Sequence, residues 1–357
     1  MHFLMHSVAC TAKEGERKMD KSKHVYSGSN TAEGFFGYFE DLQRMAKRTL
    51  IIKGGPGVGK STLMKKAGVH YEEKGMEVHY YHCSGDPDSV DAVYVPAKGY
   101  LMVDGTAPHR LDPVCPGAMD GILNLGVCLN EGMLAEQKEE IAALFSGISH
   151  TFARAYRYLK AAEAMRQDCA AVYRKAFLPP RRRNMENHLL SLVPDGEKGG
   201  EQHAFLQAIT WKGVVQCADW LEARQMVSLM LPFGMDADEL LQPILHLARQ
   251  KELKRLCWHD PLDGKKLSHL QVGDTLFTIA SPQGAVEILP EMEQDEIKQE
   301  ASRLSFNRAV YDLCLHQAVD VLSQAKEAHD RLERYYIDAM DFGRLQAITK
   351  EVLEELP

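Results

Sequence analysis

Apolar positions along the chain fall into two kinds of run. Residues 49–52 read Thr-Leu-Ile-Ile, a short and partly β-branched stretch that predicts a buried strand. Tyr100-Leu101-Met102-Val103 is a second such run, and it ends on an acid, Asp104. Between them Leu63, Met64 and Ala67 recur at helical spacing, with Lys65 and Lys66 on the other face. From Met133 to Phe177 there is no proline and one glycine, Gly147, and Ala, Leu, Glu, Lys and Arg dominate. That stretch predicts a helical hairpin or two long helices, stopped by Pro179-Pro180. Residues 179–202, with Pro194, Gly196, Gly199 and Gly200, read as a linker. Ala301–Pro357 is again mostly helical in pattern. Strands alternating with helices predict an α/β fold built on a parallel sheet.

Immediately after the first strand comes Gly54-Gly55-Pro56-Gly57-Val58-Gly59-Lys60-Ser61-Thr62, which matches G-x-x-x-x-G-K-[ST] at every position. Glycine permits positive φ and removes side chains where backbone must approach a phosphate. The freed N–H groups then form an anion-binding nest at a helix N-terminus. In this pattern Lys60 brings a point charge to the β- and γ-phosphates, the Ser61 hydroxyl suits Mg²⁺, and Thr62 is placed for the α-phosphate. Asp104 is the expected second Mg²⁺ ligand, because strand ends at that edge face the ligand crevice.

The chain also repeats itself. His24–Leu50 matches His203–Leu229 without a gap, with His24/His203, Gly34/Gly213, Leu42/Leu221 and Leu50/Leu229 identical. Asp86-Pro87 aligns with Asp260-Pro261, Leu101–Val103 with Phe277–Ile279, and Ala155–Leu159 with Ala318–Leu322. The halves therefore read as a tandem duplication of an α/β unit followed by long helices. In the second copy the loop is replaced by residues 231–239, read as about two residues shorter, where Asp236, Asp238 and Glu239 stand against phosphate. Asp104 maps to Ala280.

Groups lost together with the loop are candidates to serve it. Arg154, Arg157 and Lys160, spaced to share one helix face, map to Gln317, Asp320 and Ser323. Asp86 survives in the second copy, so it reads as the cap of a turn. Asp88 and Asp91 are candidates for a base or a Mg²⁺ contact, and His109 is a candidate to sense or polarise the γ-phosphate.

With 357 residues, 45% hydrophobic and 26% charged, the chain is of ordinary globular composition and about two domains long. Its net charge of −8 argues against nucleic acid as a partner. Arg181-Arg182-Arg183 reads as a solvated charge run. Eight cysteines form no C-x-x-C pair, so neither a zinc site nor a disulfide framework is expected, and the cytoplasm is the expected compartment. No apolar run reaches the roughly 18 residues of a membrane span.

The loop GGPGVGKST and the strand ending in Asp104 resemble the P-loop NTPase superfamily. More closely, the chain resembles a poorly characterised bacterial family of two-half P-loop ATP-binding proteins. Residues 30–35 (NTAEGF), 50–66, 104–109 (DGTAPH) and 154–162 (RAYRYLKAA) carry this likeness, which covers most of residues 24–178 and weakly the rest. The resemblance implies a P-loop NTPase-like sheet with flanking helices, ATP and Mg²⁺ as ligands, and an unassigned activity. The expected organisation is a disordered extension at 1–23, a P-loop domain at 24–178, the linker at 179–202 and a degenerate copy at 203–357. Asp104 is followed by Gly105 rather than Glu, and no Asn-Lys-x-Asp motif is present, which favours ATP over GTP and argues against motor-type ATPases. Mg²⁺-dependent hydrolysis leads, followed by γ-phosphoryl transfer to a small-molecule or nucleotide acceptor. A slow nucleotide-gated switch with a protein partner, acting as a monomer or an oligomer, is the third class.

Overall fold

The computed structural model describes Val8–Ala9, residues 22–217, Trp220 and residues 223–357. The first half comprises β1 (Val8–Ala9), β2 (Lys23–Tyr26), β3 (Gly28–Thr31), β4 (Gly34–Gly37), α1 (Phe39–Met45), β5 (Arg48–Lys53), α2 (Lys60–Glu73), β6 (His79–His82), β7 (Val90–Val95), β8 (Tyr100–Asp104) and β9 (Asp120–Asn124). Helices α3 (Glu131–Glu136), α4 (Lys138–Ala176) and α5 (Pro179–Ser191) follow. The second half comprises β10 (Glu201–Ala204), β11 (Gln207–Thr210), β12 (Gly213–Gln216), β13 (Gln225–Leu229), α6 (Asp238–Gln250), β14 (Arg255–His259), β15 (Leu267–Val272), β16 (Thr275–Thr278) and β17 (Val286–Ile288). It ends in α7 (Gln294–Gln299), α8 (Ala301–Asp338) and α9 (Phe342–Glu354).

Each half builds a six-stranded sheet, and the two sheets share one plan. Their orders are β2-β6-β7-β8-β5-β9 and β10-β14-β15-β16-β13-β17. The parallel sheet expected from the sequence is corrected to a mixed one, because β7 and β15 run antiparallel to both neighbours. The cause is the connection: β7 reaches β8 through the tight turn Pro96–Gly99, closed by Lys98 N–H to the Val95 carbonyl and by Gly99 at φ +59°, too short for a crossover. One sheet face packs on α2 through Ile52, Met102, Val93 and Met64, and the matching face of the other packs on α6 through Leu229, Phe277, Leu270 and Leu241. Between the sheets lies a shared core that joins Ile51, Val103 and Phe39 to Leu206, Trp258 and Leu276.

The halves meet on a pseudo-two-fold axis, where equivalent residues touch each other. Tyr26 and Phe205 exchange backbone hydrogen bonds of 3.0 and 2.9 Å. Asn30, wholly buried, donates to the carbonyl of its own counterpart Ile209 at 2.8 Å and accepts from the Tyr156 hydroxyl at 3.1 Å. The hairpins that carry these residues also turn alike: Thr31 and Thr210 each donate to the carbonyl of a glycine three residues on, at 2.7 and 2.9 Å, and Gly34 and Gly213 have φ of +112° and +104°.

The hairpin or pair of long helices expected over Met133–Phe177 is instead one continuous helix of 39 residues, α4, preceded by the short α3. Two boundaries also differ from expectation. The stretch 179–202 holds a helix, α5, because Pro179 and Pro180 occupy its first turn, where a missing N–H costs nothing. Prolines that stop α4 therefore also start α5. At the N-terminus Val8–Ala9 pairs in parallel with Val215–Gln216, so the expected disordered extension contributes a strand, while residues 1–7 and 10–21 lie outside the described residues.

Truncating Asn30 tests the axis. Asn30→Ala leaves the Ile209 carbonyl and Tyr156 hydroxyl short of a buried partner and is expected to destabilise the fold by about 1–3 kcal/mol. Urea unfolding checks this.

Candidate functional site

The site is assembled at the sheet edge where β5 and β8 end and the antiparallel β7 begins. Strand β5 stops at Lys53 and the glycine-rich loop leads into α2. Gly57 and Gly59 take φ of +71° and +87°, a region that residues with a Cβ avoid. Val58 is buried and anchors the loop from within. Gly59 is the N-cap of α2, and no side chain caps the helix, so its first N–H groups face the loop without an intrahelical partner. The helix dipole adds positive potential there.

Lys60 folds back over this concavity. Its Nζ donates to the Gly54 carbonyl at 3.0 Å and the Gly55 carbonyl at 2.7 Å, and lies 3.5 Å from Asp104 Oδ2. Asp104 pairs with Ile52 on the loop strand itself. Its Oδ1 accepts from the Thr106 N–H at 2.9 Å and hydroxyl at 2.6 Å, which leaves Oδ2 turned to Lys60. The Ser61 hydroxyl accepts from Val90 N–H at 3.0 Å, tying α2 to the start of β7. Lys60, Ser61 and Asp104 are thus brought together around the loop Gly54, Gly55, Pro56, Gly57, Val58 and Gly59, with Thr62 exposed on the first turn of α2.

Next to Val90, Asp91 is the extra residue of a β-bulge: Tyr81 faces Ala92 while His82 faces Val90. Its carboxyl is buried, and that burial, joined by the nearby charge of Asp104, pushes its pKa up. His109 Nε2 lies 3.8 Å from Asp91 Oδ1. The imidazole stacks on Phe39 at 4.5 Å between centroids. Neither of its ring nitrogens has a hydrogen-bond partner among the described residues.

Helices from the other half cover the loop. A methyl group placed on Gly55 would meet the Tyr336 ring at 2.5 Å, one on Gly57 the Ile337 side chain at 3.1 Å, and one on Gly59 the Leu345 side chain at 3.1 Å. The arrangement is reciprocal, since a methyl on Gly234 in the second loop would meet Cys169 Cβ of α4 at 2.5 Å. Each half therefore lays its long helix across the other half's loop. These contacts escape sequence reading because they are made by ordinary apolar positions far away along the chain.

The second loop occupies its own anion site. Asp236 Oδ1 accepts from the N–H of Asp238 at 3.1 Å, at the start of α6. Lys266 neutralises Asp236 at 2.8 Å. Beside it Arg166, from α4, binds Asp260 at 2.5 Å and Glu163 at 2.7 Å. Burial alone would raise the Asp260 carboxyl, but Arg166 outweighs it and holds the pKa below the usual range.

Register corrects the alignment here. Both halves carry the same bulge, with Trp258 facing His269 and His259 facing Leu267. Following the ladders outward puts Val103 opposite Ile51 and Thr278 opposite Ser228, so Ile279 rather than Ala280 stands where Asp104 does. The second loop is not shortened. Ten residues separate β4 from β5 and eight separate β12 from β13, so the two missing residues fall before the strand.

Other predicted groups lie elsewhere. Phe145 of α4 packs edge-on against Tyr336, and Arg157 lies twelve residues farther along, about 18 Å at 1.5 Å per residue. Arg157 is exposed; Arg154 bonds Gln324, and Lys160 pairs with Glu33 at 3.3 Å, so the basic face looks to solvent rather than to the loop. Asp88 pairs with Lys212 at 2.6 Å at the surface. Asp86 accepts from Asp88 N–H and Ser89 Oγ, as a turn cap does. No described helix is long and apolar enough to cross a membrane.

Searches of family models, curated proteins and solved structures find no match to this chain.

Two arginines on α4 should behave oppositely. Arg166→Met removes the guanidinium shared by buried Glu163 and half-buried Asp260 and is expected to cost about 3–5 kcal/mol. Arg157→Ala should change stability by less than about 0.5 kcal/mol and leave any turnover at the loop unchanged. Thermal unfolding and rate measurements check both.

Proposed function

We propose that this chain is a P-loop ATP-binding protein that hydrolyses Mg²⁺·ATP at one site, the loop Gly54–Thr62. The observation that carries the reading is the uncapped N-terminus of α2, opening directly after the positive-φ glycines Gly57 and Gly59, with Lys60 and Asp104 3.5 Å apart beside it. Phosphate oxygens would take the free N–H groups and draw Lys60 from the loop carbonyls. The Ser61 hydroxyl and Asp104 are hard oxygen donors of the kind Mg²⁺ takes alongside phosphate. Asp104 Oδ2 is not committed to another hydrogen bond, so the donor set fits the ion. Mg²⁺ would offset charge on the transferring phosphoryl group, and Lys60 would add to that stabilisation.

The second loop supports single-site binding, because Asp236 already sits on the start of α6. A slow, gated form of the activity is the second reading, favoured by Tyr336, Ile337 and Leu345 lying against the loop glycines.

Titration calorimetry with MgATP should give one site per chain, and two sites would refute the single-site reading. Lys60→Ala should abolish binding. Asp104→Asn should move the Mg²⁺ dependence of ADP formation to higher concentration; superimposable metal titrations would remove Asp104 from the ion's ligands. Tyr336→Ala should raise the rate of nucleotide association in stopped flow if α8 gates the loop.

A further inference from the structure

His109 and Asp91 are the pair that the loop, Lys60 and Asp104 leave unused. Both are more than nine-tenths buried, and neither ring nitrogen of His109 has a hydrogen-bond partner among the described residues. An unmet buried hydrogen-bonding group is destabilising, so a fold carries one where something else requires it. Position adds to the argument. Ala92 faces Val103, so Asp91 stands level with Asp104, at the edge from which the glycine-rich loop opens, and its neighbour Val90 is bonded to Ser61.

The second half supplies the control. It keeps the bulge and puts Ser268 in the place of Asp91. Ser268 donates to the Trp258 carbonyl at 3.3 Å, so the bulge needs no acid. The carboxylate occurs only beside the loop that lacks its own capping acid.

We propose that His109 takes a proton from the water that attacks the γ-phosphoryl group of ATP at the Gly54–Thr62 loop, and that Asp91 positions its ring. This rests on the ATP-hydrolysis reading given above. Water oxygen bonds to Pγ as the bond from Pγ to the bridging oxygen breaks, and the electron pair leaves with ADP. The water proton passes to an imidazole nitrogen, and the Asp91 carboxylate stabilises the imidazolium. Phe39 and Phe35 hold the ring from the apolar side, at 4.5 and 5.9 Å between centroids. The other titratable groups around Asp91 are Asp104 on β8, His82 on β6 and Cys83 beyond it. His109 would be a catalytic residue and Asp91 a positioning residue.

The test compares ADP formation with MgATP affinity in Asp91→Ser, His109→Ala and His109→Phe. Asp91→Ser copies what the second half accommodates, and His109→Phe keeps the aromatic stack, so both preserve the fold. Each variant should slow ADP formation about 100-fold, the scale of a lost general base, with the dissociation constant for MgATP within threefold of the parent. Added imidazole should restore at least tenfold in His109→Ala and nothing in Asp91→Ser. A rate loss below tenfold, affinity falling in step with rate, or no imidazole rescue of His109→Ala would overturn the proposal. If the parent forms ADP and the variants form it as fast, this inference alone fails; if the parent binds MgATP but forms no ADP, the hydrolysis reading fails with it. If the parent binds no nucleotide, the ATP reading fails with it.

Discussion

Two backbone hydrogen bonds, exchanged between Tyr26 and Phe205, govern the architecture. They join the edge strand of one sheet to the chain that leaves the edge strand of the other. The bonded residues are equivalents, so the contact is self-complementary in the way that a two-fold interface is. The hairpins, the mixed sheets, the bulges and the helices on the outer faces all occur twice outward from it. Buried Asn30 fixes the registration, because its amide reaches its own counterpart's carbonyl.

From that axis the crossing of the long helices follows. Strands near the axis bring the halves face to face over a shared core, and α4 and α8 run alongside each other, each passing beyond the axis to the loop of the opposite half. Neither half holds its loop with its own residues alone. The same frame carries two different chemistries at the two loops: one helix start with free N–H groups and a lysine, the other with an aspartate on its own backbone and a half-buried arginine behind it.

Local physics was readable in the sequence and long-range physics was not. Strand β5, the glycine-rich loop and α2 are contiguous, and each residue type there answers to its own backbone geometry, so spacing alone places Lys60, Ser61 and Asp104. The hairpin repeat was visible because Gly34 and Gly213 must both adopt positive φ. The direction of β7 was hidden because a four-residue turn decides it, and the helix α5 because Pro179-Pro180 serves as a stop and a start. The alignment slipped by two residues because the segment holding α1 differs in length ahead of β5. The basic face of α4 failed as a phosphate-facing surface because periodicity defines a face but not what the face looks at. Tyr336 and Leu345 carried no signal, since their significance lies in glycines nearly three hundred residues away.

The half-buried arginine of the second loop has a mechanical meaning. In a frame with two-fold symmetry, a ligand that enters one side only must break that symmetry. Arg166, clamped between Glu163 of its own helix and Asp260 just beyond β14, ties α4 to the opposite half through largely buried charges that are costly to separate. On the opposite side α8 and α9 meet the loop through an aromatic ring and aliphatic side chains, and backbone bonds from Asn130 N–H to the Ala339 carbonyl and from Asp341 N–H to the Cys128 carbonyl, both 2.8 Å, hold their junction to the first half. One interface is therefore fastened by charge and the other by apolar contact and backbone hydrogen bonds, so the duplicated frame grips its two loops by different means.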